Sequence, residues 1–500
     1  MGSKVDEEKS AGLEIDAAST RDQDEAFKYL TTHKVDSQEL LHVDLRALRR
    51  RIDWRIMPLM FLCYLVQLLD KIALNYGAVM GLNRDLRLRG NEFSNAATLT
   101  WVAVLVGEVP SGLILNKVSA SKWLGFNVIV WGIATASVAA ATDYRTLLVC
   151  RIFLGLCEAA AQPSISIICG QFWTRAEQPT RFGYYYASVG AGQILGGLIS
   201  YGFQFVNNPG LSGWRIMFIM LGCVTVAIGL ATYFLVPESP MKASWMSEAE
   251  KSALLEHLSS NKTGVVNTKF KASQVWDLLT DPQTYLMNLM LLLLSITSGV
   301  GNSYSATLLR NVGFNPKEAA ILNAPAGVVS LVGVIAGSLG VRYCQKRWLF
   351  IICAAIPAII GGALMSFVGS RAGVLAGVCL ICTNVAIMPI VFSWAAANSA
   401  GHTKRPLSLA LLAGSFCVAN IIGPQTFQAR DAPAYIPAKV TLMAAVACGA
   451  VCSVLLAIYY RWENARRDRL YGSNEGREAT EEEKWSNWTD RENKTFRYVY

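Results

Sequence analysis

Along most of its length the chain alternates between runs of roughly 20 apolar residues and short polar connections, the pattern of a polypeptide that crosses a bilayer repeatedly. About twelve runs are present, starting near Met57, Ser94, Trp123, Leu147, Phe182, Ile216, Tyr285, Ala319, Trp348, Ala372, Leu407 and Val440. Only residues 1–56, 237–284 and 461–500 are polar for long stretches. The pattern therefore predicts an all-α membrane protein of 12 transmembrane helices. Two six-helix bundles, 57–236 and 285–460, flank a linker at 237–284, with polar tails at 1–56 and 461–500. The first tail has no apolar core of the kind a cleavable leader needs, so insertion falls to the first span.

The two bundles read as copies. Gly112-Leu-Ile-Leu-Asn-Lys117 followed by Lys122-Trp123 recurs, at one constant offset, as Gly337-Ser-Leu-Gly-Val-Arg342 followed by Arg347-Trp348. Both copies follow the second span of their half, as expected of an internally duplicated transporter. Gly112, Lys117, Gly337 and Arg342 are accordingly candidate gating-loop residues.

Composition supports the membrane class, because 53% hydrophobic against 16% charged residues is far from a soluble domain. The net charge of +9 does not mark a nucleic-acid binder. Basic residues flank the apolar runs, at Arg46, Arg49, Arg50, Arg51 and Arg55, at Arg342, Lys346 and Arg347, and at Arg461, Arg466, Arg467 and Arg469. All three clusters fall on one side of the membrane, which predicts cytoplasmic N- and C-termini, with the plasma membrane as the expected location. Arg84, Arg87 and Arg89, on the other side, run against the trend. The 12 cysteines lie in or beside apolar runs, including Cys379 and Cys382, and are read as packing residues.

Five ionisable residues interrupt the runs of the first half: Asp70, Lys71, Glu108, Arg151 and Glu158; the runs of the second half contain none. A charge near the bilayer centre costs at least about 2.5–3.5 kcal/mol, so it persists where it faces a bundle interior or a watery cavity. Desolvation favours the neutral form of a carboxylic acid, which makes a mid-membrane acid a proton carrier. Asp70, Glu158 and Glu108 are the candidate proton-coupling residues, although Glu108, two residues before Pro110, is equally suited to a local helix kink. Lys71 and Arg151 are the opposing cations. Arg151 and Glu158, seven residues apart, share one helix face and are alternatively a helix-to-helix ion pair. Three acids against two bases leave one negative charge, so protonating two acids creates a positive excess suited to an anion.

Uncharged polar residues complete a candidate substrate site: Asn75 and Gln193 from the first half, and Asn302, Ser303, Tyr304, Asn384 and Asn420 from the second. Each is also the type that hydrogen-bonds between membrane helices. Gly190, Gly192, Gly196 and Gly197 in the fifth span read as close packing, and Pro325 and Pro389 as bends. No phosphate-binding loop accompanies the glycines, and His402 has no partners for metal or nucleophilic chemistry, so neither an enzyme nor an ATP-driven pump is expected and no cofactor is implied.

Several stretches resemble the fungal allantoate permease family, in the anion:cation symporter branch of the major facilitator superfamily. They are Leu68-Leu-Asp-Lys71, Glu108-Val-Pro-Ser111, Arg151-Ile-Phe-Leu-Gly155-Leu-Cys-Glu158, Gly213-Trp-Arg215, Pro237-Glu-Ser-Pro240, Asn398-Ser-Ala-Gly-His402-Thr-Lys-Arg405 and Thr489-Asp-Arg-Glu-Asn-Lys-Thr-Phe-Arg-Tyr498. Asn116 and Ser119 depart from the superfamily's loop acid and glycine, and Lys71 stands for the branch's usual arginine. The resemblance implies the major facilitator fold, proton coupling through Asp70 and Glu158, and symport of a small organic anion of the allantoate, ureidosuccinate or vitamin-carboxylate type. The expected partners are that anion, protons and the lipid bilayer, with a monomeric chain. Export of a fungal metabolite, or transport across an organelle membrane, uses the same fold. A sensor that binds without transporting is a third reading, disfavoured by tails that hold no signalling domain.

Overall fold

The computed structural model describes residues 43–500 apart from 116, 175–176, 207–209, 260–270, 369, 402, 432–434, 473–487 and 495. Its spans are α1 (Leu45–Val79), α2 (Glu92–Leu115), α3 (Ala120–Ser137), α4 (Tyr144–Glu158 and Ala161–Phe172), α5 (Gln178–Tyr186 and Ser188–Phe203) and α6 (Gly213–Leu235). The second half follows with α7 (Pro282–Asn311), α8 (Pro316–Ile321 and Ala324–Cys344) and α9 (Arg347–Phe367). Then come α10 (Arg371–Ile381, the 3-10 turn Cys382–Ala386 and Ile387–Asn398), α11 (Lys404–Gln425) and α12 (Ile436–Tyr471). All start within four residues of the expected positions except α1, which begins at Leu45. There Asp44 caps the helix, accepting from the backbone N–H groups of Arg46 and Ala47, which hold its carboxyl below the usual range. At 35 residues and about 1.5 Å each, α1 is far longer than a 30 Å core and carries its arginine-rich start out of the membrane.

Among the described residues ten helices are long and apolar enough to cross a bilayer by themselves. α2 and α5 both pack between the halves. Contacts repeat across the duplication: α3 on α6 as α9 on α12, α1 on α5 as α7 on α11, and α2 on α4 as α8 on α10. Between the halves α2 meets α11, α5 meets α8 and α1 meets α7. The α5–α8 contact needs glycine on both sides. A Cβ on Gly190 would lie 2.9 Å from the Gly327 carbonyl, and one on Gly327 would lie 2.7 Å from the Gly190 carbonyl. Gly192 and Gly196 instead face Leu68 and Ile72 of α1, so both close approaches of α5 depend on small residues.

The linker divides its allegiance. Its first helix, Glu248–Ser259, lies against the first half, where Met246 and Leu254 share a buried cluster with Leu48 and Ile52 and where Arg51 pairs with Glu250. Beside it the α4–α5 turn is clasped to the start of α1: Arg181 lies 2.8 Å from Asp53, and Arg49 pairs with Glu177. Burial acts to raise the Glu177 pKa, but the hydrogen bonds from Arg49 and Thr174 outweigh it and bring it down to about 2. The Glu177 carboxylate therefore supports this clasp fully above the usual glutamate range, and the support is lost as pH falls towards 2.

The second linker helix, Ala272–Thr280, belongs to the other half, together with the C-terminal segment 488–500. Lys404, fully buried at the start of α11, lies 2.9 Å from Asp277, 2.8 Å from Asp281 and 2.8 Å from Asp490. Asn398 at the end of α10 both donates to the Val499 carbonyl and accepts from its N–H, each at 2.8 Å. Arg467 donates to the carbonyls of Asp490 and Phe496, and Tyr498 stacks on Tyr460 with centroids 5.0 Å apart. Lys404 and a second buried lysine, Lys439, which donates to the Met365 carbonyl at 3.0 Å, lie just before the apolar runs of α11 and α12, which themselves hold no charged residue. Both sit in the first turn of a helix, at a membrane edge rather than mid-membrane.

Lys404→Met leaves three carboxylates crowded around an apolar side chain. Breaking a buried pair costs about 3–5 kcal/mol, so the purified protein should melt at a clearly lower temperature at neutral pH. The deficit should shrink in acid as the carboxylates protonate. An unchanged melting temperature would contradict the clasp.

Candidate functional site

Helical geometry separates the neighbours Asp70 and Lys71, whose side chains leave α1 about 100° apart. Asp70, 1% exposed, turns towards α3, where Trp131 Nε1 donates to its Oδ2. Lys71 turns the other way. Its Nζ lies 2.7 Å from Glu158 Oε1 and 4.5 Å from the centroid of the Trp101 ring. Glu158 closes the first segment of α4 immediately before the Ala159–Ala160 break, and its side chain is fully buried. Arg151, two turns earlier, is 2% exposed, with its Cζ 5.7 Å from the Phe218 ring. Its Nε and Nη2 have no hydrogen-bond partner among the described residues.

The ion pair borders a cavity between the halves that is partly open to solvent. Gln67, Lys71, Trp101, Tyr186 and Gln193 line it from the first half, facing Ser295, Thr297, Asn384 and Phe416 of the second. Among the described lining residues Lys71 is the one charged side chain. Hydrogen bonds seal the halves on the side away from the linker. Asn75 accepts from the Ser305 hydroxyl at 3.0 Å and donates to the Ser303 carbonyl at 3.1 Å, Gln425 donates to Thr98 at 2.9 Å and Gln204 to the Pro316 carbonyl at 3.2 Å. Near mid-depth the links are Ser330 to Gln193 at 3.1 Å and Cys417 to Glu108 at 3.8 Å.

This arrangement of paired bundles around a central cavity has relatives. The family model of the Major Facilitator Superfamily matches residues 60–424. The chain belongs to that superfamily. Within it the allantoate permease of Saccharomyces cerevisiae is 34% identical over 91% of this chain and 86% of its own length. The thiamine pathway transporter of the same yeast is 32% identical over 97% and 92%. An uncharacterized transporter of Schizosaccharomyces pombe reaches 33% over 97% and 96%. The chain thus falls in the allantoate permease-like group of fungal transporters. For the fold, a proton:xylose symporter structure superposes with a TM-score of 0.64 at 15% identity, covering 84% of this chain and 96% of its own. It is a multi-pass membrane transporter with no enzymatic fold, and its cargo is a small molecule.

Within this superfamily member the expected site residues separate into groups. Lys71, Gln193 and Asn384 line the cavity, and Glu158 stands directly behind Lys71. Asp70, Glu108 and Arg151 lie outside the lining, buried or half-buried in the first half. Glu158 takes Lys71 as its ion-pair partner rather than its helix neighbour Arg151. The partner comes from α1, and only the packing of α1 on α4 brings it there. Asn75 belongs to the seal, as does Tyr304, whose hydroxyl bonds that of Ser94 and whose ring stacks on Phe427 at 4.5 Å. Asn420 donates to the Phe416 carbonyl in its own helix. Asn302 lies in α7, but its side chain is outside the described residues, as are that of Arg342 and the whole of Asn116 and His402. Of the gating-loop candidates, Gly112 and Lys117 are exposed at the linker end of α2, and Gly337 is buried within α8.

The sequence reading missed Trp101, Tyr64, Gln67, Tyr186, Ser295 and Thr297 in the lining, and Trp131 behind Asp70. Nothing in a single sequence separates the aromatic ones from lipid-facing aromatics, whereas Gln67 carries the same signal as Gln193, an amide within an apolar run. The Gly213-Trp-Arg215 motif is structural: Trp214 donates to Asp85 at 2.8 Å, and Arg215 to the carbonyls of Ala139 and Ala141. Burial works to raise the Asp85 pKa, but donation from Trp214 and Ser212 holds it below the usual range.

If Lys71 and Glu158 form one unit, breaking either alone strands a buried charge. Lys71→Met should lower the melting temperature, and Lys71→Met with Glu158→Gln should recover at least half of the loss. Additive losses in the double variant would contradict the pairing.

Proposed function

We propose that the protein is a proton-coupled symporter that imports a small organic anion across the fungal plasma membrane. The single observation that carries this reading is the Lys71–Glu158 pair, in which the cavity's one lining cation is neutralised by an acid that has no exposure of its own. With Glu158 ionised, Lys71 is occupied. When Glu158 takes a proton, the ammonium is left without its counter-charge and attracts a carboxylate from the cavity. Losing the proton restores the internal pair and displaces the anion. Proton and anion therefore favour each other's binding, as symport requires.

Asp70 and Arg151 make up the rest of the buried charge, with Trp131 fixing the Asp70 carboxylate. Gln67, Gln193 and Asn384 offer amide groups on both sides of the cavity to orient a polar guest. Lysine in the branch's usual arginine position gives one point charge rather than a bidentate fork, which suits monocarboxylates of varied outline. We take the termini and linker to be cytoplasmic, so that the side sealed by Tyr304 and Gln425 faces outward and the structure is inward-facing. The name of the yeast relative makes allantoate the first anion to test.

In reconstituted vesicles, allantoate uptake by the wild type should follow an inward proton gradient. Glu158→Gln should still exchange allantoate across the membrane while losing accumulation by at least tenfold. Gradient-independent uptake by the wild type across a panel of small carboxylates would contradict the proposal.

A further inference from the structure

The ion pair touches more than the cavity. Lys71 Nζ lies over the face of Trp101, 4.5 Å from its centroid, within the range of a cation–π contact. Trp101 belongs to α2, and its ring meets Phe416 of α11 edge-on, with centroids 5.7 Å apart and planes at 88°. Trp101 and Cys417 share a small buried cluster with Val104 and Ala159, the residue that follows Glu158. One unbroken line of contacts thus runs from Glu158 in α4 through Lys71 in α1 and Trp101 in α2 to Phe416 in the opposite half. It ends at mid-depth, where the seal between the halves gives way to the cavity.

We propose that Trp101 is a positioning residue that couples the charge state of the Lys71–Glu158 pair to the meeting of the two halves. This rests on the proton coupling proposed above and adds the means by which it moves the protein. With the pair intact, the ammonium is pinned over the indole and the indole is held edge-on against Phe416, which supports the closed seal of this structure. When Glu158 is neutral, the ammonium is free to leave the ring for a cavity anion, and the seal loses its inner edge. Acid therefore favours opening on the side away from the linker, where the proton and anion enter.

Other groups face this junction from every packed helix. Tyr64 comes from α1, Glu108 from α2, Tyr186 from α5 and Cys417 from α11, while Asp70 of α1 and Arg151 of α4 lie behind the pair, within the electrostatic reach of Glu158. Of these only Glu108 is an acid on the Trp101 helix, two turns along the same face, and its carboxylate is 3.8 Å from Cys417 Sγ. Removing its charge is the necessary control.

The test is a distance measurement on the full-length protein in lipid nanodiscs, with spin-labelled unnatural residues at Lys117 and Lys346, both exposed at the linker end of their halves. In the wild type, lowering the pH should move the population from long to short distances. Glu158→Gln should show the short-distance pattern at both pH values. Trp101→Leu and Phe416→Ala should each cut the pH-driven shift at least fivefold, and Trp101→Phe, which keeps the edge contact but weakens the cation–π contact, should cut it partly. Glu108→Gln should leave the shift in place. A full pH response in Trp101→Leu, or its loss in Glu108→Gln with retention in Phe416→Ala, overturns the coupling through Trp101. A wild type without any pH response overturns the proton-coupling reading as well.

Discussion

A charge in the low-dielectric interior of a membrane protein must be answered by another charge or by hydrogen bonds, and this constraint shapes the first half of the protein. Glu158, without exposed surface, is answered by Lys71 of a different helix. Asp70, the residue before Lys71 in the same helix, is answered by Trp131 of a third. Adjacent residues of α1 therefore tie that helix in two directions, to α4 on the cavity side and to α3 on the outer side. The second half has no mid-membrane ion pair among its described residues. It places its buried lysine at the membrane edge, in a clasp of aspartates with the C-terminal segment.

The asymmetry fits the mechanics. The first half carries the cavity's described charge, and the second supplies hydroxyls, one amide and apolar wall. Each half owns a piece of the linker and a clasp at that end, Arg49–Glu177 and Asp53–Arg181 in one, Lys404 with its three aspartates in the other. These clasps bind elements within a half rather than across the two. Each bundle is thus stiffened as a body, while the contacts between bodies are mostly neutral hydrogen bonds and aromatic edges, which cost less to break in lipid than an ion pair.

Much of this fold was legible because apolar runs of bilayer length leave few alternatives, and helix starts fell within a turn of where those runs begin. The start of α1 was not, since its first turns are rich in arginine and held by Asp44 and the clasp rather than by lipid. The five charges within the spans of the first half were legible from their cost alone. Their partners were not. Arg151 and Glu158 share a helix face by spacing, yet the carboxylate reaches Lys71, and that choice depends on how α1 lies against α4. Asn75, Tyr304 and Asn420 looked like ligands because a polar residue in a span signals either a cavity or a contact between helices. Here Asn75 and Tyr304 close the seal. The tail motif, polar and far from any run, gave no sign that Asp490 would be buried against Lys404.

The central claim is that Glu158 gains and loses a proton while Lys71 stays charged beside it. Infrared difference spectroscopy of the reconstituted protein, with isotope-labelled glutamate and Glu158→Gln as reference, reads that proton directly. The account predicts a protonated-carboxyl band that grows as the pH is lowered and is missing in the variant. A Glu158 that remains ionised under the conditions of transport, with transport intact, would contradict it.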